Sequence, residues 1–144
     1  MLVRLTYASR AAAPLTPAVV TDILEKSRRN NPLAGITGIL CTSGVQFVQV
    51  LEGGRDPVCE LYNKIVPDPR HSMVRLLGFE EISERRFGGW SMGQVDLARV
   101  NPALLLKYGD TAEFNPFTTS GHATMALLDE LIAAGSVITR APQN

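Results

Sequence analysis

The sequence predicts an α+β fold, a ferredoxin-like βαββαββ sandwich with a C-terminal helical extension. Three observations point there. β-prone and helix-period segments follow one another in that order. Both helix-period segments open on a polar residue followed by proline, Thr16-Pro17 and Asp56-Pro57. A Ser43-Gly44 turn joins two apolar runs into a hairpin. Helices connected this way pack side by side on one face of a largely antiparallel sheet and leave a crevice between them.

The elements follow in chain order. Residues 2–8 (LVRLTYA) alternate and are β-prone, which puts Val3, Leu5 and Tyr7 on one face. A helix is predicted from Thr16-Pro17 to about Asn30, with Val20, Ile23, Leu24 and Ser27 as its stripe. Residues 35–42 and 45–51 are the hairpin strands, with Val45, Phe47, Gln49 and Leu51 sharing a face. Gly35 and Gly38 in the first of these mark close backbone approach. The second helix carries Val58, Leu61, Tyr62 and Ile65 on its inner side and stops near Pro67. Residues 73–83 and 89–95 are the last strands, with Trp90 and Met92 two apart and therefore on the same face.

After about residue 97 the pattern changes. Asn101-Pro102 opens a short helix, and Ser120 caps a last one whose apolar side is Leu127, Leu128, Leu131 and Ile132. These pieces are too small for a second domain. The division expected is 1–96 as the principal domain and 97–144 as an extension that covers the sheet's other face, binds a partner, or both.

Composition removes several classes of function. The 144 residues are 45% hydrophobic, and 14 basic residues balance 14 acidic ones. Zero net charge leaves no footprint for nucleic acid. No apolar run approaches a membrane span and the start does not read as a signal peptide, so a cytoplasmic protein is expected. Cys41 and Cys59 read as small buried hydrophobes. The two histidines, His71 and His122, have no metal-ligand spacing, and neither a dinucleotide glycine fingerprint nor a phosphate loop is present.

The informative residues are polar ones where the pattern demands burial. Gln49 and Tyr7 lie on apolar strand faces, and Ser27 and Asn31 continue the helix stripe. A buried amide or hydroxyl without a partner costs about 1–3 kcal/mol. One such residue is ordinarily satisfied locally, Asn30-Asn31-Pro32 alone is a helix exit, and Asp68-Pro69-Arg70-His71 alone is a solvated turn. Together they can surround the polar edge of a ligand.

The segments LVRLTYASR, ILEKSRRNN, GITGILCTSGVQFVQVLEG, LYNKIVPDPRH and RRFGGWSMG, over roughly residues 1–95, strongly resemble the BLUF family, sensors of blue light using FAD. The resemblance implies a non-enzymatic photoreceptor binding FAD, with FMN or riboflavin as substitutes. It implies that Tyr7 is the photoactive tyrosine and that Gln49 stands between it and the flavin. Asn31 would bond the C4 carbonyl and N3 edge, and Asn30 would face the C2 carbonyl. Ile23, Leu24 and Ile65 would clamp the ring with Phe47 beside them. Ser27, Arg28, Asp68, Arg70 and His71 would contact the flavin and its tail, and Trp90 and Met92 would shift on illumination. Some relatives are fused to a cyclase or phosphodiesterase. A chain of this length looks like the short class, which forms homo-oligomers and acts through a separate signalling protein, such as a cyclic-di-GMP phosphodiesterase or a response-regulator-like protein. The residues alone leave two alternatives: a small flavoenzyme, or a ligand-binding regulatory module without photochemistry.

Overall fold

A computed structural model describes residues 1–137. The end of the predicted extension, 138–144, lies outside the described residues. Five strands form one sheet: β1 (Leu2–Ala11), β2 (Thr37–Ser43), β3 (Gln46–Gly54), β4 (His71–Ile82) and β5 (Gly93–Asp96). Their spatial order is β4-β1-β3-β2-β5, antiparallel except for the parallel β2–β5 pair. This is the ferredoxin-like arrangement with β5 added beside β2. Helices α1 (Pro17–Asn30) and α2 (Arg55–Ile65) cover one face, and α3 (Pro102–Tyr108) and α4 (Gly121–Ala133) cover the other.

Two cores result. Val3, Leu5, Leu40 and Leu51 meet Val20, Leu24 and Val58 under α1 and α2. Ile39, Cys41, Val48 and Val50 meet Leu105, Leu127, Leu128 and Leu131 under α3 and α4. Strands covered on both faces bury consecutive residues, which is why β1 and β3 run nearly solid with buried side chains. The extension therefore does cover the second sheet face. Burial also pushes the Cys41 thiol up to about 12, so it stays protonated.

The caps explain where most helices start. Thr16 Oγ1 accepts from the Val19 N–H, Asn101 Oδ1 from Ala103, and Ser120 Oγ from Ala123 at 3.0 Å. The second helix departs from expectation. It begins at Arg55 behind Gly54, so Asp56 sits in the first turn and caps nothing. Its carboxylate there still faces the positive end of the helix dipole.

Three further corrections concern the strands and cysteines. Val45 is exposed in the hairpin turn beside Gly44, whose φ is +62°, and the strand starts one residue later. Gly35 is not in a strand but ends a short 3₁₀ turn at φ +69°. Gly38 does make the close approach: a Cβ there would lie 2.0 Å from the Val50 carbonyl oxygen. Cys59 is only half-buried.

The fifth strand is shorter than expected, and residues 83–92 form an irregular crossing. Its anchor is Glu52, a fully buried carboxylate on β3. One oxygen accepts from the Phe87 N–H at 2.7 Å and the Arg86 N–H at 3.0 Å, and the other accepts from Arg4 at 2.8 Å. Arg4 reaches on to Glu80 of β4 at 2.8 Å. Because the crossing is not pleated, Trp90 and Met92 do not share a face. Met92 is buried in the core under α1 and α2. Trp90 packs against the opposite core, its ring 5.8 Å from that of Phe87.

Candidate functional site

The crevice predicted between the first two helices is a cavity of about 800 Å³. Strand register builds its floor. Tyr7 on β1 and Leu40 on β2 both stand opposite Gln49 on β3, so the three side chains rise in a row. Ile23, Ser27, Asn30 and Asn31 come from α1 and its end, Leu61 and Ile65 from α2, and Phe47 from β3. Asp68, Arg70 and His71 also line it, at the mouth, with Ala11 at the end of β1, the loop 12–15 and the α1 residues Asp22 and Lys26.

The floor carries a directed hydrogen-bond line. The Tyr7 hydroxyl donates to Gln49 Oε1 at 2.5 Å, and Gln49 Nε2 lies 3.6 Å from the Met92 sulfur. Tyr7 and Gln49 are each 5% exposed. Burial, then the neighbouring Tyr62 and Asp68, push the Tyr7 pKa well above the ordinary phenol range, so it holds its proton at any physiological pH. The Tyr7 ring lies 5.7 Å from that of Tyr62 and meets His71 edge-on at 6.5 Å.

Around the mouth the polar groups are fixed in place. His71 Nε2 is 2.6 Å from the Ile65 carbonyl, which only accepts, so Nε2 carries the proton. Nδ1 lies 2.9 Å from Ser9 Oγ, a second hydrogen-bond partner that fixes the ring plane. Asp68 takes hydrogen bonds from the Arg70 guanidinium, at 2.7 Å for the closest, and from the Arg70 N–H at 2.9 Å. These bonds hold its carboxyl down to about 2. Asn31 differs: it is 6% exposed, lines the cavity, and has no side-chain hydrogen bond to any described residue. An amide left in this state is suited to a ligand's polar edge.

Three expected contacts lie elsewhere. Leu24 is one position round the helix from Ile23, which turns it onto the sheet and into the core. Arg28 reaches across to the Met92 carbonyl, its Nε at 3.1 Å and Nη2 at 2.9 Å. Trp90 is on the far face of the sheet. The sequence reading also missed Leu40, Leu61, Lys26 and the stretch 11–15. Leu40 was accessible, since the hairpin turn fixes it opposite Gln49. The 12–15 loop has no periodicity that could place it.

The cavity suits a flat heteroaromatic ring with one polar edge: aliphatic side chains stand on both walls, and amide and hydroxyl groups converge at the floor and one end. Among the described residues no group of acidic, histidine or cysteine side chains could hold a metal ion, and no helix is long and apolar enough to cross a membrane.

Comparisons with known proteins identify the family. The family model described as sensors of blue-light using FAD matches residues 2–93. The beta subunit of a photoactivated adenylate cyclase from Euglena longa is 38% identical over 86 residues, 60% of this chain and 10% of that protein. The blue light- and temperature-regulated antirepressor BluF of Escherichia coli K12 is 33% identical over 97 residues, 67% of this chain and 24% of that protein. The chain thus spans about a tenth of the cyclase subunit's length and a quarter of the antirepressor's. Among solved structures, dark-state BlrB, a BLUF protein, is 38% identical with a TM-score of 0.77, covering 93% of this chain and 96% of that one. BlsA in its photo-activated state is 31% identical with a TM-score of 0.80, covering both chains completely. A family match over residues 2–93, carried on the same fold, makes this protein a member of the BLUF family of flavin-binding blue-light sensors.

Proposed function

We propose that this chain senses blue light by binding FAD in the α1–α2 cavity and signals by rearranging hydrogen bonds, without catalysis of its own. The observation that carries the reading is the Tyr7–Gln49–Met92 line on the cavity floor. Bound flavin supplies a chromophore whose excited state accepts electrons strongly. Tyr7 is the electron source, and its phenolic proton already points at Gln49. Gln49 can take up and pass on that proton because an amide carries both an acceptor and a donor end. With flavin bound, that transfer and its reversal would leave the Gln49 amide rotated or as its imidic tautomer. Either form changes what Gln49 offers to the cavity and to Met92. Asn31, with Asn30 and Ser27 nearby, holds the polar edge of the ring; Ile23, Ile65 and Phe47 pack against it; Asp68, Arg70 and His71 meet the tail.

Residues 1–96 would form the sensor and the rest of the chain the output. The segment 95–137, reached directly from Met92 and Trp90, would pass the change to a separate protein. A cyclic-di-GMP phosphodiesterase or a response-regulator-like protein are the partner classes in view. BlrP1 of Klebsiella pneumoniae, 31% identical and solved with cyclic-di-GMP, supports the first. The chain would also self-associate.

The test is a spectrum. The purified protein should be yellow, and blue light should shift its absorption reversibly to the red without reducing the flavin, which separates a sensor from a flavoenzyme. Tyr7→Phe and Gln49→Leu should keep the flavin and lose the red-shifted state. A normal photocycle in either variant sinks the mechanism.

A further inference from the structure

β4 pairs with β1 on one side only, and among the described residues no strand pairs with its other edge; Gly121 at the start of α4 lies close to the Leu77 carbonyl. Long open edges normally carry a row of charges, a proline or a covering element, because they otherwise recruit another strand. Beside its charged residues Arg75, Glu80 and Glu81, this edge shows Met73, Leu76 and Phe79 at 45%, 53% and 42% exposure. The α1–α2 layer leaves these three side chains exposed.

The sequence of the edge is complementary to itself. In a regular strand Leu76 and Phe79 would point to opposite faces. Here the register with β1 shifts between Thr6 and Tyr7, so Leu76 stands opposite Tyr7 and Phe79 opposite Leu5. Both therefore lie on the α1–α2 side. The same shift puts Arg75, opposite Ala8, and Glu80, opposite Arg4, together on the other side.

We propose that β4 is a self-association surface, on which a second copy of this chain pairs antiparallel about a two-fold axis passing between Leu77 and Gly78. That axis sets Leu76 of each copy beside Phe79 of the other on one face and Arg75 beside Glu80 on the other face. Arg75 is exposed, its one hydrogen bond running to the carbonyl of Val74 at 3.1 Å, and Glu80 uses Oε1 for Arg4, which leaves Oε2 for the new partner. Two apolar and two ionic cross-strand pairs arise from one symmetry operation, and the strand offset that permits it is the irregularity already present in β4. The proposal rests on the reading that the chain self-associates and adds the surface and the register.

Sedimentation of the full chain from about 1 µM to about 1 mM tests the first part. A dimer is expected, and a monomer throughout overturns the self-association reading together with the proposal. Leu76→Lys, Phe79→Lys and Arg75→Glu should each weaken the dimer at least about tenfold while flavin content and photocycle stay normal, since none of the three lines the cavity. A dimer indifferent to them uses another surface and overturns the proposal alone. Register is read by disulfide trapping in a Cys59→Ser background. Leu76→Cys mixed with Phe79→Cys should cross-link as a pair faster than either protein with itself. Cross-linking no faster in the mixture overturns the register.

Discussion

The two faces of the sheet are covered by the same kind of element but finished differently. Under α3 and α4, aliphatic residues pack with the aromatic rings of Phe87 and Phe114, and Thr124 Oγ1 is a lone buried polar atom without a partner among the described residues. Under α1 and α2, the helices part and the floor carries Tyr7, Gln49 and the unmatched Asn31. A closed face returns stability for every atom it buries. An open one forgoes part of that and holds polar groups in readiness for a ligand. The contrast separates residues that hold the fold from residues that do the work, and substitutions on the two sides should behave differently.

The largest effect is expected at the link between them. Glu52→Ala leaves Arg4 buried with its charge uncompensated on that side and frees the Arg86 and Phe87 N–H groups, a loss of about 3–5 kcal/mol in denaturant unfolding. A loss under 1 kcal/mol would mean that the crossing stays in place without its anchor. Next, Leu128→Ala on the closed face should cost about 2–5 kcal/mol of stability and leave the flavin affinity of the folded protein unchanged. Ile23→Ala on the cavity wall should do the reverse, costing little in unfolding and appearing in flavin binding. Equal losses from both would erase the distinction between the faces.

The smallest effect is at the mouth. Asp68 has its folded pKa depressed to about 2 against an ordinary value of 3.8. The sign follows: its contribution is fully present above about pH 4 and is lost as pH falls through about 2. Because Arg70 is mostly exposed, the pair is worth less than about 1 kcal/mol at neutral pH. Comparing wild type with Asp68→Asn in unfolding at pH 6 and at about pH 2 checks this. The difference should shrink at acid pH, and a growing one would contradict the assignment.

How much of this was legible beforehand follows from what each signal depends on. The helix starts at Thr16, Asn101 and Ser120 were readable because capping is local chemistry. Tyr7 and Gln49 were readable because alternation fixes a strand's faces, and pairing then places them opposite one another. Trp90 and Met92 were placed on one face by the same rule, which fails where the backbone is not pleated. The crossing is held by a carboxylate more than thirty residues upstream in the chain, and nothing local announces that. Arg28 was assigned to the ligand by the family resemblance, whereas its reach to a backbone carbonyl sixty-four residues away is a tertiary fact that no local pattern carries. The open edge of β4 was invisible for a related reason: its apolar residues look like any core strand until the helices are seen to leave them uncovered.

The stitching of the 90–92 segment bears on how faithfully such a sensor could report. The Trp90 carbonyl accepts from the Gly38 N–H at 3.2 Å and the Met92 carbonyl from Arg28, while the two side chains leave toward opposite cores. Moving either side chain across the sheet means turning the segment and giving up these bonds, on the order of 2–4 kcal/mol together, several times thermal energy. Ordinary breathing of the cavity falls below that threshold and stays on its own side. The segment would thus act as a noise filter in the proposed sensor: turning it costs more than a small, frequent disturbance of the cavity supplies.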